Sequence, residues 1–213
     1  MPRVFADVTI TLDGHLAGPD ASLKDPLGIE GMRVHQWVYG LEARRKPQGL
    51  EGGRAGGVDS DVLDENAGRA DAAIMGRKMF YPTAGNWQEP PQGQWGDEPP
   101  FHTPVYVLTH YAHEPVEKEG GTTFHFVTDG IESALEQART VAGETDIQIS
   151  GGAEVIQEFI RAGLLDELKV HIVPIFLGQG VLLLSNLGES PRTLVPDRAL
   201  HSDAVTHVRY RFT

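Results

Sequence analysis

The chain of 213 residues contains no cysteine. Disulfides, thiolate metal sites and cysteine nucleophiles are thereby excluded, and nothing in the composition asks for an oxidising compartment. Long apolar runs are missing as well. The opening stretch MPRVFADVTI lacks the h-region of a secretory signal, and no segment approaches the roughly 18 uninterrupted apolar residues of a membrane span. A soluble, cytoplasmic protein with no membrane partner is expected. Positive charge is scarce: 18 Lys and Arg face 30 Asp and Glu, a formal net charge of −12. Such a surface repels a polyanion and argues against nucleic acid as a partner. A small phosphorylated ligand is compatible with it, because screening removes carboxylates beyond roughly 8–10 Å. The nine histidines include no H-E-x-x-H, and the pair His110 and His113 makes no ligand set, so no metal is expected.

What the chain has is alternation of strand and helix signals. Val4 to Thr11 is apolar enough for a central strand and runs into LDGHLAGPD, where Asp13-Gly14 and Gly18-Pro19 signal turns. Met32, Trp37, Val38 and Leu41 fall near helical spacing and predict a helix from about Glu30 to Arg45. KPQGLEGGRAGGVDSD reads as a mobile loop inside one domain, with Asp59 or Ser60 as the cap of the short helix that follows. A short strand, Ala72 to Met75, ends in Gly76-Arg77 and a helical turn. The stretch from Thr83 to Thr103, which carries Trp87 and Trp95, is too rich in Pro and Gly to be regular and is expected to form a lid or subunit arm. PVYVLTH and TTFHFVT are strands, and Asp129 is the candidate cap of a helix with Ile131, Leu135, Ala138 and Ala142 on one face. DIQIS is again a strand, and Ala153 to Ala162 a helix that buries Ile156, Phe159 and Ile160. ELKVHIVPIF and AVTHVRYRFT then alternate apolar and polar residues, with no helix between them, as a terminal antiparallel pair does. Together these signals describe one α/β domain over residues 1–213, with a mostly parallel sheet covered on both faces and an antiparallel pair at its C-terminus.

Ligands of open parallel sheets bind beyond the carboxyl ends of the strands. Four such ends carry glycine or polar residues: LDG, MGRKM, LTH and SGGAE. In the last, Gly151 and Gly152 sit between strand and helix, either as a tight turn or as a place where an anion approaches unpaired helix amides. The fuller G-x-G-x-x-G pattern is absent, since Ala153, Glu154 and Val155 follow. Arg77 and His110 are placed to supply further donors to phosphate oxygens, so the four ends make a physical case for a dinucleotide. Ser150 lacks the G-x-S-x-G context of a nucleophile.

In these same segments the sequence resembles the dihydrofolate-reductase-like superfamily. TLDGHLAG resembles its first strand and loop, and IMGRKMF its GRK/GRT adenosine-side motif. SGGAEVIQEFIRAGLLDELKVHIVPIFLGQG is similar to the riboflavin-biosynthesis reductase, the C-terminal domain of RibD-type deaminase-reductases. The resemblance covers nearly the whole chain apart from the two Gly/Pro-rich loops, and it implies a three-layer αβα fold with NADPH as cofactor. It places Gly76, Arg77 and Lys78 at the phosphates, and Leu108, Thr109 and His110 at the adenosine and its 2′-phosphate. Ser150, Gly151, Gly152, Ala153, Glu154, Val155 and Ile156 fall on the pyrophosphate and nicotinamide side, with Ala6, Leu16 and Ala17 flanking the nicotinamide. Asp13 is the candidate proton donor or substrate anchor, and His35, Trp37, Val38 and Phe80 are the candidate substrate contacts.

The chain also departs from the pattern. The carboxylate by which dihydrofolate reductases grip the pterin has no counterpart on the first helix, which offers Glu30 and Glu42 only at its ends. PDASLKDPLGIEG, with Lys24 and nearby Arg33 as the cations, replaces the Ser-x-x-Trp-Ile segment and basic residues of riboflavin reductases. The expectation is a homodimeric, NADPH-dependent reductase of a pterin- or pyrimidine-like heterocycle, resembling 5-amino-6-(5-phosphoribosylamino)uracil reductase. The rival reading is a non-catalytic NADP(H) binder or sensor.

Overall fold

The computed structural model describes residues 2–46, 50–82, 93–189 and 192–213. In chain order its elements are β1 (Val4–Thr11), β2 (His15–Ala17), α1 (Met32–Tyr39), α2 (Glu42–Arg45), α3 (Val58–Asp64), β3 (Ala70–Gly76) and the single turn α4 (Arg77–Phe80). Then come β4 (Pro104–Leu108), β5 (Val116–Glu117), β6 (Thr123–Val127), α5 (Ile131–Ala142), β7 (Asp146–Gly151) and α6 (Ala153–Ala162). The chain closes with β8 (Glu167–Val173), β9 (Val181–Leu182), β10 (Leu194–His201) and β11 (Thr206–Phe212).

Nine strands form one sheet in the order β10-β11-β8-β1-β7-β3-β4-β6-β5, while β2 and β9 pair separately. The six strands from β8 to β6 run parallel, and β11, β10 and β5 join antiparallel. Strand β1 is central because it is apolar on one face and, on the other, carries only side chains that find buried partners. Val4, Ala6, Val8 and Ile10 pack with Ile147, Ile149, Ile156 and Phe159 under α5 and α6. Each large apolar side chain buried there contributes about 1.5–3 kcal/mol. Asp7, Thr9 and Thr11 project to the opposite face, which α1 and α3 cover through Trp37 and the residues around Asn66. Further along that face, Phe80 and Phe124 form a second cluster with Trp95 and Phe101.

α5 and α6 match the expected helices, and their buried faces follow the 3.6-residue period. Gly163 ends α6 in a left-handed conformation (φ 69°), with Leu164 N–H donating to Phe159 O at 2.9 Å. The antiparallel pairing of the last third is present as β8 with β11.

Five local readings are corrected. The helix expected over 30–45 is broken after Tyr39, because Leu41 turns extended and Arg54 takes over the pairing: its N–H donates to Gly40 O at 2.9 Å, and its carbonyl accepts Glu42 N–H at 3.0 Å. The same bonds tie down the described part of the glycine loop. Asp59 and Ser60 are not caps, since Gly57 holds that place and both residues are buried in the first turn of α3. Asp129 is likewise displaced by Gly130, and its carboxylate accepts the Thr128 hydroxyl instead. Residues 93–103 are docked, not draped: Gln94 N–H donates to Phe80 O at 3.0 Å, and the Trp95 indole N–H donates to Met79 O at 3.2 Å. The remainder of that arm, with Trp87, lies outside the described residues. Strand β10 was not foreseen and is built on β11 with a bulge between Pro196 and Arg198.

Candidate active site at the strand ends

Because β1, β7, β3 and β4 are neighbours, their carboxyl ends share one rim. The register sets Met75 opposite Gly151 and Gly76 opposite Leu108. A Cβ on Gly76 would lie 3.0 Å from Val155 Cγ2 and 3.6 Å from Gly152 N, so these two junctions touch. The two glycines of β7 and α6 have different jobs. Gly151 has φ 134°, which L side chains rarely adopt, and a Cβ there would meet Met79 Sδ at 3.0 Å. Gly152 has φ −71° and ψ −171°, an ordinary extended backbone, and a Cβ there would meet no heavy atom within 4 Å. The peptide between them is cis. Gly152 provides no side-chain cap to α6, so the amides of that helix's first turn open onto this space. The Ser150 hydroxyl oxygen is buried without a hydrogen-bond partner among the described residues.

Around this centre lie the other phosphate-side candidates. The Arg77 guanidinium is half-buried, 5.6 Å from the Tyr111 ring centroid. Lys78 Nζ reaches Glu154 Oε1 at 3.1 Å, with both side chains about three-quarters exposed (77% and 75%). Thr109 N–H donates to Val127 O at 3.0 Å and its hydroxyl accepts Tyr111 N–H at 3.1 Å, which orders the turn carrying exposed His110. Ala153, Val155 and Ile156 turn their side chains into the core and present only backbone to the rim.

The loop after β1 is fastened to the LGQG segment. Asp13 accepts the Thr11 hydroxyl, Gly178 N–H at 2.7 Å and Leu177 N–H at 3.2 Å, with His15 Nδ1 3.3 Å away. The Thr11 hydroxyl first, and the two backbone donors after it, outweigh the cost of burial and hold the Asp13 carboxyl well below the usual carboxylate range. These bonds all go to the protein itself, so Asp13, the candidate proton donor or substrate anchor of the sequence, fastens the loop after β1 to the LGQG segment in this structure. Leu16 packs half-buried against the main core, and Ala17 is buried above Gly180.

Three further expectations are corrected. Ala6 is fully buried and pairs with Ile149, two residues short of Gly151, so it lies inside the sheet; Thr9 and Thr11 occupy the rim end of β1. Trp37 is 4% exposed and donates its indole N–H to Thr9 Oγ1 at 3.2 Å, because α1 turns Val34 and Trp37 inward. Phe80 is fully buried between the rings of Phe124 (4.9 Å) and Phe126 (5.3 Å). Val38 is half-buried against the Trp37 cluster. His35 stays half-buried on α1, and burial, with His171 as second cause, pushes its imidazole down to about 4.

A row of buried polar groups went unforeseen. His207 Nδ1 lies 2.7 Å from His171 Nδ1, His171 Nε2 lies 2.5 Å from Asp7 Oδ1, and His207 Nε2 lies 3.0 Å from Asp59 Oδ1. Burial opposes the charge on Asp7, but His171, Lys169 and Asn66 outweigh it and hold that carboxyl below its ordinary value. The period-two polar residues of β8 and β11 were the available signal. His171 and His207 among them face Trp37 of α1 and Asp59 of α3, not water.

Residues 2–205 match the RibD C-terminal domain. The chain belongs to the RibD C-terminal domain family. Among its relatives within reach of sequence comparison is the uncharacterised protein YyaP of Bacillus subtilis (strain 168), 25% identical over 176 residues that cover 75% of this chain and 87% of YyaP. Its fold is shared with a pyrimidine reductase-like protein from Corynebacterium diphtheriae NCTC, at 14% identity and TM-score 0.57, covering 100% of this chain and 92% of that one. It is shared also with dihydrofolate reductase from Enterococcus faecalis, whose structure holds NADP(H), at 15% identity and TM-score 0.50 over 99% and 96% of the two chains. The RibD C-terminal domain described here is thus a dihydrofolate-reductase-like αβα fold. Among the described residues no helix is long and apolar enough to cross a membrane.

Proposed function

We propose that this RibD C-terminal domain is an NADPH-dependent reductase that transfers hydride to a C=N or C=O bond of a pterin- or pyrimidine-like heterocycle, in the manner of 5-amino-6-(5-phosphoribosylamino)uracil reductase. Membership of the family and the reductase-type folds around it support the class. The observation that carries the cofactor is the Gly151-Gly152 junction: open space at a Cβ of Gly152, no side-chain cap on α6, and beside them the Ser150 hydroxyl, which has no partner among the described residues. These groups fit a diphosphate, which needs close backbone approach and donors more than side-chain charge. When bound there, NADPH supplies the hydride.

The chain supplies position. The backbone at Gly76, Gly152 and the first turn of α6 holds the diphosphate, Arg77 adds charge, and Thr109 and His110 border the adenosine. Leu16 and Ala17 exclude water from the ring's flank. His35 meets the heterocycle as a neutral imidazole at neutral pH, able to donate one hydrogen bond and accept another. The proton that completes reduction comes from water, since Asp13 is committed elsewhere.

A second reading, a non-catalytic NADP(H) binder or sensor, draws on the burial of Trp37 and Phe80, which leaves His35 and Val38 as the substrate contacts. Both readings are tested together. NADPH titrated by fluorescence, followed by a panel of pterins and pyrimidines monitored by loss of NADPH absorbance, should show binding and then turnover with one class. Binding without turnover across the panel selects the sensor, and no binding removes both.

A further inference from the structure

The buried polar row on the α1 and α3 face takes no part in the chemistry above. We propose that Asp59, His207, His171 and Asp7 form one hydrogen-bonded chain that holds three protons, and that it acts as a one-proton clamp fastening α3 and β11 to β8 and β1. Gain or loss of a single proton opens it.

His171 and His207 are direct partners in the antiparallel register of β8 and β11. Their Nδ1 atoms approach to 2.7 Å, a distance that requires one nitrogen to carry hydrogen and the other a lone pair. Each Nε2 in turn faces a carboxylate, Asp59 at 3.0 Å and Asp7 at 2.5 Å, and each of these bonds needs a proton of its own. Three bonds therefore hold three protons on two rings, one more than a neutral pair carries. A fourth proton would set N–H against N–H between the rings. Removal of the third would set lone pair against lone pair.

The surroundings fix this occupancy. From the segment before α3, Arg54 meets Asp59 at 2.9 Å, and the Ser202 hydroxyl donates to the same carboxylate at 3.1 Å. On the other side Asn66 donates to Asp7, and its carbonyl accepts Lys169 Nζ at 2.6 Å. Beyond Lys169, Glu65 sits between Arg198 of β10 and Arg209 of β11. From α1, His35 bears on His171, and the Trp37 ring lies 5.1 Å and 5.2 Å from the two imidazoles and closes them off. His171 and His207 are 2% and 5% exposed, so the bonds of the row are made among protein groups.

The pH dependence follows from linkage. In the unfolded chain the two histidines titrate independently near pH 6.5 and together bind two protons below it and none above. The clamped pair holds one, each of these counts being of protons beyond those of two neutral rings. Unfolding is therefore disfavoured most near pH 6.5, and the unfolding constant rises by up to about tenfold per pH unit on either side.

Two measurements on the full chain test this. With ¹⁵N-labelled histidine, NMR should show both Nε2 atoms protonated, and a scalar coupling between the two Nδ1 atoms that persists from about pH 5.5 to 7.5 around the midpoint. Independent titration of the two rings, or the absence of that coupling, overturns the proposal. Denaturant unfolding of the parent and of the double variant His171→Gln/His207→Gln should give a difference curve peaked near pH 6.5. A constant factor at every pH would mean that the row is packing alone, and would also overturn it. If the double variant does not fold, the NMR result on the parent decides by itself.

Discussion

Replacing each of the paired glycines by alanine separates a glycine needed by the fold from one needed by the ligand. At Gly152 the backbone (φ −71°) suits any residue, and an added Cβ meets nothing within 4 Å. Gly152→Ala should leave the fold intact or stabilise it by about 0.4–1 kcal/mol, through the unfolded chain's reduced freedom. The same methyl would hold a diphosphate off the α6 amides. Hydrogen bonds to a charged group contribute about 1.5–3 kcal/mol each, so loss of one should weaken NADPH by about ten- to hundredfold. Gly151→Ala should do the reverse in kind: φ 134° and Met79 Sδ at 3.0 Å oppose a side chain, at a cost of about 1–3 kcal/mol in stability. Thermal unfolding and NADPH titration on the parent and both variants provide the assay. A Gly152→Ala protein that is as stable as the parent and binds NADPH equally well would refute the placement of the diphosphate.

Three other outcomes are expected. Arg77→Ala should weaken NADPH by about ten- to hundredfold and NADH much less if the guanidinium meets the 2′-phosphate; equal losses in paired titrations would move it to the shared diphosphate. Phe80→Ala should cost about 3–5 kcal/mol in denaturant unfolding because the side chain is fully buried among aromatic rings; a near-neutral result would return Phe80 to the substrate. Asp13→Asn should lower Tm at neutral pH. The native carboxyl is held below its unfolded value, so its contribution is present above about pH 3.9 and fades as pH falls further. Parent and variant melting curves that stay equally far apart down to acid pH would contradict this.

The strand ends and the two long helices were legible because their signals are local. Ile131, Leu135, Ala138 and Ala142 carry their own period, and Gly151-Gly152 marks its own junction. Burial of polar side chains was not legible. ELKVHIV has the same alternation whether its polar face meets water or meets Asp7, and Asp7 is 164 residues away from His171. Asp59 has the chemistry of a helix cap at the right place, yet a partner 148 residues on, His207, claims its carboxylate. The first helix shows the same competition: the periodicity runs through Gly40, but Arg54 offers the backbone there a better bond than another turn does. LVPDRALH has a proline and two ionised side chains and reads as loop, until β11 supplies a ladder for it.

That last strand has a consequence for self-association. A sheet that ends in a long, flat, apolar strand invites a second copy to continue it. This one ends in β10, where Pro196 lacks an N–H to offer, Asp197 and Arg198 are exposed, and the bulge between Pro196 and Arg198 breaks the repeat. At the far end β5 is two residues long. Both margins are blunted against ladder growth, so copies of this chain that meet in solution are steered to side-chain and loop surfaces.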